Sequence, residues 1–246
     1  MNGLKMGVPV DEGIRINKYL AECGVCSRRG ADELIDKGAV TVDGRQAERG
    51  MKVQCGSEVR VNGKVISGID EKIYLVFNKP KGIVCTSEKM EENNVIDYLD
   101  YPKRITYSGR LDKDSQGLLI MTNDGDLIDS MMRSRNDHEK EYIVTVDRTI
   151  TDAILYQMSK GVFLEELNVT TKKCKITRVT DNSFSIILTQ GLNRQIRRMC
   201  QAFGYRVRKL IRVRVMNIEL GELAVGKYRE LSDNEVAGIK KLCGLQ

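Results

Sequence analysis

Two turn dipeptides, Asp43-Gly44 in VTVDGRQAE and Asn62-Gly63 in VRVNGKVI, set the tightest limit on how this chain begins to fold. Each lies between alternating apolar residues. Asp-Gly and Asn-Gly supply the positive φ angles that two-residue hairpin turns demand, so each string predicts an antiparallel hairpin. Ahead of them the pattern is helical. Asn17 is placed to cap a helix through Cys23, and Ser27 to cap a second one to Lys37. Ala31, Leu34 and Ile35 share one face of that second helix, and Gly38 ends it. Two short helices and two hairpins over 15–66 predict a small domain with its own core. Arg15, Lys18, Arg28 and Arg29 are placed to share its outward side.

After a linker at 67–72 the pattern changes. IYLVFNKP, GIVCTS, GLLIMTN, EYIVTV, KCKITRV, SFSIILT and VRKLIRVRVMNIEL read as strands. DGDLIDSMMR, TDAILYQMSKG and NRQIRRMCQAFG read as helices, the last with Ile196, Met199, Cys200 and Phe203 as one apolar stripe. Strands and helices do not alternate strictly. The expectation for 73–232 is therefore an α+β domain with a mixed, largely antiparallel sheet flanked by helices. Residues 233–246 predict a terminal helix, and 1–14 a flexible tail.

Composition narrows the class. With 41% hydrophobic and 30% charged residues the chain has a soluble balance, and no apolar run approaches the roughly 18 residues of a membrane span. The opening MNGLKMGVPVDE lacks the apolar core of a secretory signal, which predicts a cytoplasmic protein, expected as a monomer. Seven scattered cysteines predict reduced thiols. Cys23 and Cys26 form a CxxC, but no second pair exists and His138 is the only histidine, so helix packing is the better reading and no metal is expected. The net charge of +6 is concentrated: residues 191–214 hold eight Arg or Lys and no acid. Such a one-sided run predicts a polyanion partner, because basic side chains neutralise phosphates and release counterions.

The candidate chemical centre is GRLDKDSQG, residues 109–117, running into the apolar strand LLIM. A carboxylate placed just before a buried strand is held at a cleft edge by rigid structure. Arg110 and Lys113 beside Asp112 would keep it ionised and offer contacts to phosphate. Asp112, Asp114, Gln116 and Gly117 partly imitate a calcium loop, but the twelfth position is Asn123 and LLIM belongs in a core. Read alone, Asp112 is a structural aspartate like most that neighbour an arginine.

The combination of strings changes this. RINKYLAECGVCSRRGADELIDKGAVTVDG resembles the alpha-L RNA-binding module named after a small-subunit ribosomal protein. NKPKGIVCT, GRLDKDSQGLLIMTNDGDL, KEYIVTV and GLNRQIRRMCQAFGYRVRKLIRVRV follow it in order. Together they resemble the RsuA/RluF branch of ribosomal RNA pseudouridine synthases over residues 15–232, and NDHEKEYIVTV is most similar to the RluF type, which acts on large-subunit (23S) RNA. The resemblance implies base flipping and isomerisation of one uridine, with no cofactor or metal. It implies Asp112 as nucleophile, Tyr142 as the platform under the flipped uracil and a candidate to take the C5 proton, and Arg197 as the basic residue paired with the aspartate. Arg110 would fill the gap left by the flipped nucleotide, and Ile196 would wall the pocket. Leu111, Lys113, Arg194, Gln195 and Arg198 would contact RNA beside them, and Lys18, Ser27, Arg28 and Arg29 would do so from the small module. The route through ring addition or through a glycal stays open. Ribosomal RNA is the implied partner, with transfer RNA as a further candidate. The competing readings are a synthase acting on small-subunit RNA, a non-catalytic ribosome-assembly factor built from the same modules, and a carboxylate hydrolase using Asp112 with Asp114.

Overall fold

A computed structural model describes residues 13–245 apart from 67, 89 and 134–136. The tail expected over 1–14 lies, as far as residue 12, outside the described residues. The chain divides into two compact units, Met1–Lys72 and Ile73–Gln246.

The first unit contains β1 (Ile14–Arg15), α1 (Ile16–Glu22), α2 (Arg28–Asp36), β2 (Val40–Val42), β3 (Arg45–Gln46), β4 (Lys52–Val53), β5 (Val59–Val61) and β6 (Lys64–Ile66). Both predicted hairpins form, as β2–β3 and β5–β6, in a sheet of order β3-β2-β5-β6. Their turns carry consecutive positive φ angles, 48° and 77° at Asp43 and Gly44, 48° and 75° at Asn62 and Gly63. Ser27 caps α2 by accepting from the Gly30 N–H at 3.0 Å. Asn17 does not cap α1: that position is Arg15, and Asn17 instead donates to Asp32 Oδ1 at 3.0 Å, tying α1 to α2. Ile16, Leu20, Ala31, Ile35, Val40 and Val59 make the core, with Cys26 packed against it. Residues expected as a linker are held by this unit, since the Asp70 N–H donates to Glu22 O at 3.0 Å and Lys72 lies 3.5 Å from Glu22 Oε1.

The second unit runs β7 (Tyr74–Lys79), α3 (Val95–Leu99), β8 (Thr106–Ser108), β9 (Gln116–Thr122), α4 (Gly125–Met132), β10 (Lys140–Val146), α5 (Asp152–Ser159), β11 (Phe163–Leu164), β12 (Val169–Thr170), β13 (Lys175–Thr180), β14 (Ser183–Leu188), α6 (Gln195–Ala202), β15 (Val207–Val215), β16 (Ile218–Glu219), β17 (Tyr228–Glu230) and α7 (Asp233–Leu242). Its main sheet has the order β13-β14-β10-β15-β9-β7-β17. Among the described residues every strand pairing in it is antiparallel except β9 with β15, which are parallel and meet at two rungs, Gln116 with Ile211 and Gly117 with Arg212. That short parallel seam joins two antiparallel halves.

β9 is apolar without interruption because it is covered on both faces. Its alternate residues Leu118 and Ile120 enter a cluster with Leu127, Val215 and Ile239, while Leu119 and Met121 enter another with Leu75, Phe77 and Leu111. A third cluster, around Phe184, Ile186, Met199 and Leu210, fills the other half. The terminal helix α7 docks through Ile239 and Cys243. GIVCTS is not a strand, having only one isolated bridge, Val84 to Asn94. The long VRKLIRVRVMNIEL turns back at Met216, whose φ is 54°, to give β15 and β16.

Candidate active site

The loop between β8 and β9 carries Asp112 and lies at the seam. Its backbone is held from several directions. The Gly82 N–H donates to Lys113 O at 2.8 Å, and the Leu111 N–H to Cys85 Sγ at 3.4 Å. This is what NKPKGIVCT does in place of forming a second strand: it turns beneath the loop and cradles it. Within the loop the Ser115 N–H closes onto Asp112 O at 3.0 Å. From α6, Arg197 Nη2 donates to Asp114 O at 3.0 Å and to Ser115 Oγ at 3.4 Å. From β15, Arg212 Nη1 donates to Arg110 O at 3.3 Å and Nε to Leu118 O at 2.7 Å. Against this fixed backbone the Asp112 carboxylate itself is 35% exposed.

Arg194 supplies the nearest cation, with Nη1 at 4.0 Å from Asp112 and 3.8 Å from Asp114. It stands at the start of α6 with a left-handed backbone, φ 51° and ψ 32°. A non-glycine residue there costs of order 1–3 kcal/mol, strain of the kind that collects at functional sites. Arg197, the expected partner of Asp112, is instead engaged with the backbone of Asp114 and Val207, and its Nε is buried without a hydrogen bond. Burial, joined by the Arg194 charge, pulls its guanidinium below the usual arginine value, against the opposing pull of Asp114 and Asp112.

Tyr142 is half-buried on β10 and packs against the clusters on both sides of the seam. Its register partners are Arg212 on β15 and Ile186 on β14. Arg110 and Lys113 are exposed beside Asp112. Leu111 and Gln195, expected at RNA, are interior instead, at 6% and 4% exposure, and Ile196, expected as a pocket wall, is interior at 4%. Leu111 anchors the loop in the core, Gln195 closes the turn before α6 by accepting from the Leu192 N–H, and Ile196 packs in the cluster around Phe184. Arg198 is also diverted: it pairs with Glu166 and donates to Asn193 O at 3.0 Å, fixing the approach to α6. In the first unit Lys18 lies 3.9 Å from Glu22, Arg28 is half-buried, and Ser27 and Arg29 are exposed.

The basic run of 191–214 therefore splits by use. Arg212 is buried at 2%, and Arg214 is paired with Glu139 and Glu141 at 2.9 and 3.0 Å. Arg194, Arg206, Arg208 and Lys209 are the exposed members. Sequence reasoning missed two residues at the site, Lys79 and Arg212. Lys79 is 0% exposed and donates to Pro80 O at 2.8 Å and Ile83 O at 2.6 Å. Burial lowers its ammonium pKa, opposed in part by Asp112 and Asp114. The available signal was weak: Lys79 ends a strand buried from Leu75 onward, and Arg212 shares a face of β15 with the buried Leu210, but so does the exposed Arg208.

Residues 73–202 match the family model described as RNA pseudouridylate synthase, and residues 14–59 match the S4 domain model. The dual-specificity RNA pseudouridine synthase RluF of Salmonella typhi is 48% identical over 234 residues, covering 94% of this chain and 80% of that protein. The ribosomal large subunit pseudouridine synthase B of Bacillus subtilis is 33% identical over 235 residues, covering 93% of this chain and 96% of that protein. A crystal structure of a pseudouridylate synthase matches with a TM-score of 0.68 at 26% identity, over 92% of this chain and 100% of that one. An S4 domain followed by this catalytic fold defines the class: the chain belongs to the RNA pseudouridine synthase family and is an isomerase. Within the family it is of the RluF type.

Proposed function

We propose that this synthase isomerises a uridine of large-subunit ribosomal RNA, with Asp112 as its nucleophile and transfer RNA as a second candidate substrate. The observation that carries the nucleophile is the contrast within one loop: the backbone from Arg110 to Leu118 is tied on several sides, while the Asp112 carboxylate stays accessible. A fixed backbone under a free carboxylate is preorganisation, which converts positioning into rate.

The target base must leave its stack to reach such a site, and a flipped base needs an aromatic platform. Tyr142, half-buried between the two halves of the sheet, supplies it. In the reaction the C1′–N1 bond breaks, the uracil turns, C5 bonds to C1′, the C5 proton departs and N1 takes up a proton, so that atoms are conserved overall. Asp112 assists either by adding to the uracil ring or by acting at C1′. Arg197 holds an unsatisfied buried Nε–H beside the loop, a donor in reserve that supports its reading as the cation serving the aspartate. Arg110, Lys113 and Arg194 take RNA phosphates around the cleft, Arg110 filling the place of the extruded nucleotide, while Lys18, Ser27, Arg28 and Arg29 hold RNA at the S4 domain. The choice of large-subunit RNA is supported by the 33%-identical relative named for that subunit, and the second substrate class by the RluF relatives named as dual-specificity enzymes.

Incubated with ribosomal RNA tritiated at uridine C5, the full chain is expected to release tritium, and Asp112→Asn to release none while binding RNA as before. Release by Asp112→Asn at the wild-type rate removes the nucleophile assignment. Mapping pseudouridine in ribosomal and transfer RNA from cells with and without the protein tests the substrate. A lost modification confined to small-subunit RNA contradicts the large-subunit reading.

A further inference from the structure

Arg212 presents a physical puzzle. It lies at 2% exposure in the middle of β15, and among the described residues no carboxylate pairs with it. Burying an unpaired charge is expensive, and a leucine or methionine would fill the same rung without that cost. The guanidinium must therefore do something that an apolar side chain cannot.

Its two hydrogen bonds show what that is. Nη1 takes the carbonyl of Arg110 at 3.3 Å and Nε takes the carbonyl of Leu118 at 2.7 Å. These carbonyls flank Asp112, one on the way into its loop and one on the way out. The backbone ladder between β9 and β15 stops after two rungs, ending at Gly117 and Arg212, and the guanidinium takes over at the next carbonyl. The strands touch closely there: a Cβ on Gly117 would lie 2.3 Å from Arg212 O and 2.7 Å from Arg212 N. On its other side Arg212 is the register partner of Tyr142. One residue thus fixes the loop of the proposed nucleophile relative to the strand of the proposed base platform.

We propose that Arg212 is a positioning residue of the isomerisation, its rigid guanidinium fork clasping both ends of the Asp112 loop to the strand that borders Tyr142. This rests on the reading of Asp112 as nucleophile. Lysine keeps the charge, but its ammonium is a compact point charge without the planar fork that spans two carbonyls in fixed directions. A misplacement of about 1 Å at a reacting group costs on the order of a hundredfold in rate.

The test uses the full chain and C5-tritiated ribosomal RNA with Arg212→Lys. The expected result is a kcat lowered about tenfold to a hundredfold, with KM and RNA affinity within about twofold of wild type and a cooperative melt. Retention of kcat within about twofold overturns the proposal. So does a joint loss of kcat, RNA affinity and cooperative melting, which marks a structural role. Should Arg212→Lys fail to fold, Arg212→Gln, which retains one amide donor, is measured in its place against the same criteria, and failure of both to fold also overturns it. Asp112→Asn in parallel separates the two readings. An active Asp112→Asn removes the nucleophile, whereas an inactive one beside a fully active Arg212→Lys removes only the clasp.

Discussion

Lys79, Gly117, Arg212 and Tyr142 occupy one rung across four neighbouring strands, β7, β9, β15 and β10. Two buried cations stand either side of a residue that has no side chain. Gly117 has a φ of 114°, and its substitution to alanine meets the Arg212 backbone at once. Gly117→Ala is therefore expected to lose about 1–3 kcal/mol or more of stability and most of its tritium release, read from chemical denaturation and the release assay. Unchanged stability would mean that the strands can part without cost. Asp112, Tyr142 and Arg197, the residues proposed for catalysis, were singled out in the sequence because their strings resemble a family in order. Lys79 and Arg212 were not, because a cation is normally a surface residue, and strand phase does not mark the buried one: Arg208 shares the alternation of Arg212 yet is exposed. The resemblance also implied RNA contacts for Leu111, Gln195 and Arg198, of which the first two are interior and the last is engaged with Glu166 and Asn193.

Most helices and strands were legible from periodicity, since apolar stripes and alternation follow directly from burial. GIVCTS failed because its β-branched and apolar residues serve a loop cradle rather than a ladder, and Ile83 and Cys85 are buried in the cluster that Leu111 of the Asp112 loop joins. The brief α3, β8 and β17 offer too few residues to set a period. At the other end α7 has a strong local signature, a capping box in which Ser232 and Glu235 satisfy each other's backbone N–H groups. Glu235 also accepts from Arg229 of β17 at 2.8 and 2.9 Å, and this hydrogen-bonded pairing holds its pKa down to about 2. Because the folded pKa lies below the unfolded value of about 4.3, the stabilisation is present in full above that pH and is lost as pH falls toward 2. Thermal melts should accordingly show Glu235→Gln below wild type at neutral pH, with the gap closing between about pH 4.3 and 2. A gap that stays constant through that range would place its origin elsewhere.

At the scale of the whole chain, each described hydrophobic cluster draws its members from one unit: one from residues 16–66, three from residues 73–245. A chain truncated to 73–246 is expected to melt cooperatively and to keep kcat, with a higher KM. Its KM should also depend less steeply on salt, because the phosphate contacts proposed for the S4 domain are gone and each contact contributes about 0.7–0.9 to the log–log slope. An unchanged salt slope would show that the S4 domain does not carry those contacts. The seam between β9 and β15 bears on the order in which this enzyme becomes competent. It joins strands far apart in the chain, and such non-local pairings carry the largest loop-closure entropy and form slowly. A nascent chain that has emerged only through α6 already contains Arg110, Asp112, Tyr142 and Arg197, yet lacks the strand that seats the aspartate loop. Catalytic competence is thus expected to be a late event in the life of the polypeptide, gained only once β15 has been made and has joined β10 on one side and β9 on the other.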